Sequence, residues 1–324
     1  MMPQSIEGRM GERQGGPTHI PVLAAEIVEL LRCRPGRTYV DATLGPGGHA
    51  EAILEATDPD GRVIGFDLDP EAIEAASLRL AFAGWRFAPV RTDFRRIREV
   101  LSERRTGPVD GVVADLGLSS AQLLGPDRGF GFSVPGPLDM RFDQSRGTSA
   151  ARLIEGMDEG SLRRILLEYG EEKDASRIAR AIVRRRESAP IRTTDDLASI
   201  VAAAVPRRGP ARIHPATKTF QALRIAVNGE LTGLAEFVDA AVMCLRRGGR
   251  LAVISFHSLE DRIVKHAMRA LASRCICPPG MPVCGCGREN IVRLVTPRPI
   301  GPSAAERTRN PRSRSAKLRV VERL

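Results

Sequence analysis

From residue 38 to residue 117 the sequence alternates β-prone and helix-forming runs, and no other feature limits the fold as much. Strands are predicted at 39–42, 62–67, 86–91 and 109–116, with helices at 49–56, 70–81 and 94–104 between them. Pro70 suits a first helical turn, where its missing N–H costs nothing. Successive strand–helix units of this kind build a doubly wound parallel sheet with helices on both faces.

The alternation then stops. Residues 118–150 are rich in Gly, Pro, Ser and Asp, and 151–205 read as helices only. One of these, 174–187, sets Ile178, Ile182 and Val183 against Arg177, Arg180, Arg184 and Arg185, a face that suits solvent or RNA. Another, 197–205, follows a Thr193-Thr194-Asp195-Asp196 cap. The α/β pattern resumes with helices at 217–227 and 231–245, a buried strand ending at Phe256, and a helix at 258–271. Two late runs, 291–294 and 318–321, are predicted to close the sheet as a hairpin. The expected organisation is one α/β domain, 19–135 and 216–324, interrupted by a helical substrate-recognition insertion at 136–215. Residues 1–18 are polar and glycine-rich and read as a disordered lead-in without the apolar stretch of a signal peptide. No run approaches the roughly 20 apolar residues of a membrane span. A cytoplasmic protein is expected, with no membrane partner.

The first strand ends at Asp41 and runs into a turn with Gly45, Gly47 and Gly48. Such a turn offers backbone N–H groups at a helix start, which suits a nucleotide-like ligand. Asp67, at the tip of the second strand, stands where this kind of fold binds ribose hydroxyls. The glycine spacing is neither that of a dinucleotide site nor that of a P-loop. Asp41 can hold a cationic amine, and Phe94 after the third strand offers a face to an adenine. An amine, a ribose and an adenine together describe S-adenosylmethionine better than NAD. Asp115 and Gln122, at and beyond the end of the fourth strand, fall where cofactor meets substrate. Each residue alone has a plainer reading as a helix cap or core residue; the set favours a methyltransferase over an NAD-type oxidoreductase.

The net charge of +10 and pI near 10.0 favour a polyanionic partner, nucleic acid first. Lysine contributes only positions 173, 218, 265 and 317, an arginine bias that genome composition can also produce.

With these residues assembled, the chain resembles the ribosomal RNA small-subunit methyltransferase H family from His19 to Leu324. The resemblance rests on Gly47-Gly48-His49, Asp115-Leu-Gly-Leu-Ser-Ser, Arg128-Gly-Phe-Gly-Phe-Ser, Gly136-Pro-Leu-Asp-Met-Arg and Tyr169-Gly-Glu-Glu. His214-Pro-Ala-Thr-Lys-Thr-Phe-Gln, Ile254-Ser-Phe-His-Ser-Leu-Glu-Asp and Asn310-Pro-Arg-Ser-Arg-Ser-Ala-Lys complete it. It implies a Rossmann-like S-adenosylmethionine-dependent methyltransferase fold and N4-methylation of a decoding-centre cytidine in 16S ribosomal RNA of the small subunit. It also implies cofactor contacts at Gly47, Gly48, His49, Asp67, Phe94, Asp115 and Gln122; His49 comes from the resemblance alone. Pro46, at a variable position inside the turn, is the one local departure and should stiffen the turn without changing the ligand. A non-catalytic RNA-binding assembly factor of the same fold stays open as an alternative, and a homodimer is compatible with the sequence.

Methyl transfer to a cytosine amine needs an acceptor for an N4 proton. Asp115 is the first candidate, with His257 and Ser255 as alternatives; His257 also reads as a helix cap. Aromatic residues are only 4% of the chain, yet Phe130, Phe132 and Phe142 fall close together. They suit either stacking on a splayed-out base or pinning a loop to the core. Asp139 lies in the same strip. Lys218, Arg224 and Asn228 share one helix and face either the RNA backbone or solvent. The basic stretch from Arg307 to Lys317 is a phosphate-contacting candidate. Cys33 and Cys244 read as inert core thiols. Cys275-x-Cys277 and Cys284-x-Cys286 form a quartet that four-thiolate zinc sites also use, though Cys-x-x-Cys is the commoner knuckle. On sequence alone no metal is assigned.

Overall fold

A computed structural model describes residues 21–206 and 214–324, apart from 274, 276, 278–285 and 288. The expected lead-in at 1–18 and Cys284 lie outside the described residues.

The first half runs α1 (Ala24–Leu31), β1 (Thr38–Asp41), α2 (Gly48–Ala56), β2 (Arg62–Asp67), α3 (Pro70–Arg79), β3 (Phe87–Arg91), α4 (Ile97–Glu103), β4 (Val109–Asp115) and α5 (Ser120–Leu124). Four helices follow: α6 (Ala150–Gly156), α7 (Glu159–Glu168), α8 (Ala175–Ser188) and α9 (Thr194–Ala204). Then come α10 (Thr217–Asn228), α11 (Leu234–Cys244), β5 (Leu245–Ser255), α12 (Ser258–Ala272), β6 (Val292–Leu294), α13 (Ala304–Arg309) and β7 (Lys317–Arg323). The seven strands form one sheet in the order β3-β2-β1-β4-β5-β7-β6. The first five are parallel, while β7 runs antiparallel to both β5 and β6, which makes the predicted closing hairpin. The alternation of the central strands explains why helices cover both faces. Val40, Ile64, Val112, Leu251 and Val253 pack towards α4, α11 and α12. Their neighbours Tyr39, Val63, Val113, Ala252 and Ile254 pack towards α1, α2 and α3. Each fully buried Leu, Ile or Val contributes about 1.5–3 kcal/mol on either face.

The helical segment has its own apolar core, from Phe130 to Leu223, so it draws on residues beyond both ends of the 136–215 span expected from sequence. Thr193 caps α9 with a reciprocal capping box to Asp196, and Asp69 caps α3 ahead of Pro70. Among the described residues no helix is long and apolar enough to cross a membrane.

Candidate active site

In a parallel sheet the carboxyl ends of the strands open a crevice. Here that edge carries Asp41, Asp67, Asp115 and Ser255, the last residues of β1, β2, β4 and β5. A cleft of about 810 Å³, its open mouth included, lies over it. Asp67, Phe94, Asp115 and Gln122 all line this cleft, so four of the expected cofactor residues meet on one wall.

Asp67 is oriented before any ligand arrives. Gly45 N–H donates to its Oδ2 at 2.8 Å and Asp69 N–H to its Oδ1 at 2.9 Å, leaving further lone pairs for hydroxyl groups. Burial pushes its pKa above the usual carboxylate value. Phe94 stands edge-on to Phe237 at 4.7 Å between ring centres, which fixes its ring at the cleft wall. Gln122 accepts from Ser119 N–H at 3.1 Å and donates to Asp69 at 3.2 Å.

The other three expected cofactor positions do not line the cleft. Gly47 has φ +84°, and a Cβ there would lie 3.1 Å from Leu80 and 3.2 Å from Ala76; a Cβ on Gly48 would lie 3.0 Å from Pro21. Those glycines are needed to pack the turn between α2, α3 and Pro21. His49 is buried, and its Nε2 lies 2.9 Å from the Val22 carbonyl. A carbonyl only accepts, so Nε2 carries the proton and Nδ1 faces Asp115 Oδ2 at 3.8 Å. His49 therefore reaches the cleft through Asp115. Asp41 is fully buried and does not line the cleft, so it is not placed to grip a ligand amine. One carboxylate oxygen accepts from Thr43 N–H at 3.2 Å and the other has no hydrogen-bond partner; burial raises its pKa to about 6.

The substrate-side expectations divide. Asn228 lines the cleft and anchors its rim: its Oδ1 accepts from Phe142 N–H at 2.9 Å and its Nδ2 donates to the Met140 carbonyl at 2.7 Å. Phe142 lines the cleft, whereas Phe130 is buried and stacks on Phe142 at 5.5 Å. Phe132 packs between His214 at 4.5 Å and Phe220 at 5.0 Å. Phe130 and Phe132 are pins, not stacking platforms, because the helical core claims their faces. Asp139 is occupied by Arg141, at 2.7 and 2.9 Å. Lys218 is exposed and donates to the Glu171 carbonyl at 2.9 Å. Arg224 is not a free surface cation: it makes a two-pronged pair with Glu230 at 2.8 and 2.7 Å, the two side chains only 14% and 7% exposed. Ser255 is buried and is not on the cleft wall. His257 is also absent from that wall; it caps α12, accepting from Glu260 N–H at 3.4 Å. Its Nε2 is 3.0 Å from Glu260 Oε1 but poorly aligned for a hydrogen bond.

Sequence reasoning missed Glu230, Glu260 and Arg95 on the cleft wall. Glu260 was findable, since an acid three residues after a helix-start residue is the capping-box signature. Nothing near Glu230 announces it.

The carboxylates differ in how far they are already engaged. Asp67 is held by two backbone donors, and Glu230 by both prongs of Arg224. Glu260 accepts from Phe256 N–H at 2.8 Å and is only 2% exposed. Asp115 has one long bond, from Gly117 N–H at 3.3 Å, and its side chain is 16% exposed. Burial raises its pKa, opposed by the nearby His49. It is the cleft carboxylate freest to take a proton.

Strand order, the antiparallel β7 and the cleft at the parallel strands' carboxyl ends define the Rossmann-like fold of S-adenosylmethionine-dependent methyltransferases. The cleft suits that cofactor: a pre-oriented carboxylate for hydroxyls, an aromatic ring, and a second carboxylate at the substrate side. The sequence matches the MraW methylase family over residues 17–324. It is 52% identical over 307 residues to the ribosomal RNA small subunit methyltransferase H of Trichlorobacter lovleyi, spanning 94% of this chain and 98% of that protein. Proteins of the same name from Anaeromyxobacter sp. and Symbiobacterium thermophilum are 53% and 50% identical, each over 94% of this chain, covering 98% and 96% of their own lengths. The chain belongs to the MraW methylase family.

Proposed function

We propose that this protein transfers a methyl group from S-adenosylmethionine to the N4 amine of a decoding-centre cytidine in 16S ribosomal RNA. The observation that carries the chemistry is Asp115, a lightly engaged carboxylate with a raised pKa at the junction of the cofactor wall and the Phe142–Asn228 rim. The name shared by the relatives supports ribosomal RNA as the acceptor. The cofactor, when bound, supplies an electrophilic methyl and departs as a neutral thioether, so its departure needs no acid.

The cytosine amine is a weak nucleophile because its lone pair is delocalised into the ring. Asp115 accepts a hydrogen bond from N4–H, orients the remaining lone pair, and takes the proton as the new bond forms. A raised pKa improves it as a base. Most of the acceleration comes from holding the partners in line. Asp67 and Phe94 fix the cofactor side. Phe142 offers one ring to a base lifted out of its stack, and Asn228 holds the backbone beneath that ring. The net charge of +10 draws the polyanion in. We assign substrate recognition to the helical segment, whose core pins this rim through Phe130 and Phe132.

The test is label transfer from S-adenosylmethionine to small subunits lacking the modification, followed by nuclease digestion and mass spectrometry of the nucleosides. N4-methylated cytidine is the expected product. No transfer to naked RNA, assembly intermediates or finished subunits would leave an assembly factor as the better reading. Calorimetry with S-adenosylmethionine and with NAD tests the cofactor separately.

A further inference from the structure

Residues 273–290 connect α12 to β6. The helix starts at the cleft edge of the sheet and runs about 22 Å back at 1.5 Å per residue, so its last residue, Ala272, lies at the far end from the cleft. Its neck is closed by Ile291 N–H donating to the Leu271 carbonyl at 2.9 Å, and Leu324 N–H donates to the Ile291 carbonyl at 3.0 Å. Leu271 belongs to the sheet core and Ile291 packs on it, but no described residue from 273 to 290 belongs to an apolar cluster. Described residues that lack an apolar core need another tie to hold them.

The described residues supply one. Cys275, Cys277 and Cys286 come from the two ends of the connection, yet their sulfurs all lie within 4.8 Å of one another. The Cys275 and Cys286 sulfurs are 3.9 Å apart. Thiolates on a tetrahedral zinc, with Zn–S near 2.3 Å, sit about 3.8 Å apart, whereas a disulfide needs about 2.05 Å. Three converging sulfurs also exceed what one disulfide can use. Cys277 N–H points at Cys275 Sγ at 3.3 Å, the sort of outer-shell donor that steadies a metal-bound thiolate. The other cysteines differ. Cys33 is partnered by Tyr39 and its thiol is pushed up to about 12 by burial, and burial also raises Cys244.

We propose that Cys275, Cys277 and Cys286 bind a thiophilic divalent cation of the zinc class, as a structural staple of the connection between α12 and β6. Three soft sulfur ligands select zinc over magnesium or calcium. Binding releases the thiol protons to solvent and ties the last strands to α12, without taking part in methyl transfer.

Elemental analysis of the full-length protein, purified without chelator, should find about one zinc per chain, and a Cys275→Ser/Cys286→Ser variant should have lost it. The variant should keep S-adenosylmethionine binding and show a lower Tm. Should it fail to fold, the wild-type protein still gives the answer. Cobalt added to the reduced, metal-free chain should produce thiolate-to-cobalt charge transfer in the near ultraviolet and the visible bands of a tetrahedral site. Absence of both zinc and the cobalt spectrum overturns the proposal. So does a variant with undiminished metal, or a native protein whose three thiols are recovered oxidised.

Discussion

Replacing Arg128 by methionine is expected to damage this protein more than its position in a loop suggests. The Arg128 side chain is 7% exposed, and its Nη2 lies 2.7 Å from Asp69 Oδ2, itself 3% exposed. Nη2 also donates to the Phe142 carbonyl at 3.0 Å, and Nη1 to Glu71 at 3.0 Å. Glu71 is 75% exposed, so that second pair contributes at most about 1 kcal/mol. The pair with Asp69 is different, because removing the cation strands a buried carboxylate, a change that typically costs about 3–5 kcal/mol. Asp69 keeps two donors, Glu71 N–H at 3.0 Å and the Gln122 amide at 3.2 Å, which places the cost near the lower end, about 3 kcal/mol. At about 2 °C per kcal/mol for a chain of this size, Tm should fall by about 6 °C in differential scanning calorimetry. Asp69→Asn keeps the α3 cap and removes the stranded charge, so the double variant should recover much of the loss. Urea unfolding of the four proteins should return a coupling of about 2 kcal/mol; effects additive within about 0.5 kcal/mol would refute the reasoning.

Asp115→Asn should lower methyl transfer by about 100- to 10,000-fold, with cofactor affinity far less changed. In the wild type, activity needs the carboxylate form, so it should fall with decreasing pH through a midpoint above the ordinary aspartate value; a rate independent of pH there would remove Asp115 as the base. Asp41 has its pKa raised from 3.8 to about 6 by burial, so the folded chain binds a proton that the unfolded chain has released between those values. The stability this provides is complete below 3.8 and lost as pH rises to about 6. Asp41→Asn should therefore stabilise the ligand-free protein at pH 7 by about 2–3 kcal/mol, at roughly 1.4 kcal/mol per unit, with the gain vanishing towards pH 4 in calorimetry. Gly117→Ala would set a Cβ 2.6 Å from the Phe256 ring beside the cleft. A cost of about 1–3 kcal/mol and weaker cofactor binding by titration calorimetry are expected; an unchanged Tm would mean that Phe256 yields freely.

The sheet was legible because its signals are local. Each β-prone run fixes a strand, and the carboxylates that end two of those runs, Asp67 and Asp115, line the cleft and are legible without tertiary information; Asp41, placed by the same logic, is buried off the cleft wall. Residues whose roles depend on a distant partner were not legible. Arg224 looks like an exposed helical cation until Glu230, beyond the helix's Gly229 cap, closes over it. Phe130 looks like a base-stacking ring until the helical core buries it. His257 had two readings in sequence, and only the direction of its side chain onto Glu260 favours the cap.

The residues around Phe142 share a logic. Arg128 ties the strip before Phe142 to Asp69 on the cofactor side, and Asn228 ties the backbone under Phe142 to α10 on the helical side. Phe130 and Phe132 brace the strip from within. Phe130, Phe132 and Asn228, which sequence offered as contacts for RNA, are thus used to hold one short rim. A mobile rim would lose, at each encounter, the alignment on which in-line transfer depends. Under the proposed function their contribution to substrate recognition is rigidity: Phe142 and Asp115 line the same cleft, one assigned to hold a base and the other to take its proton.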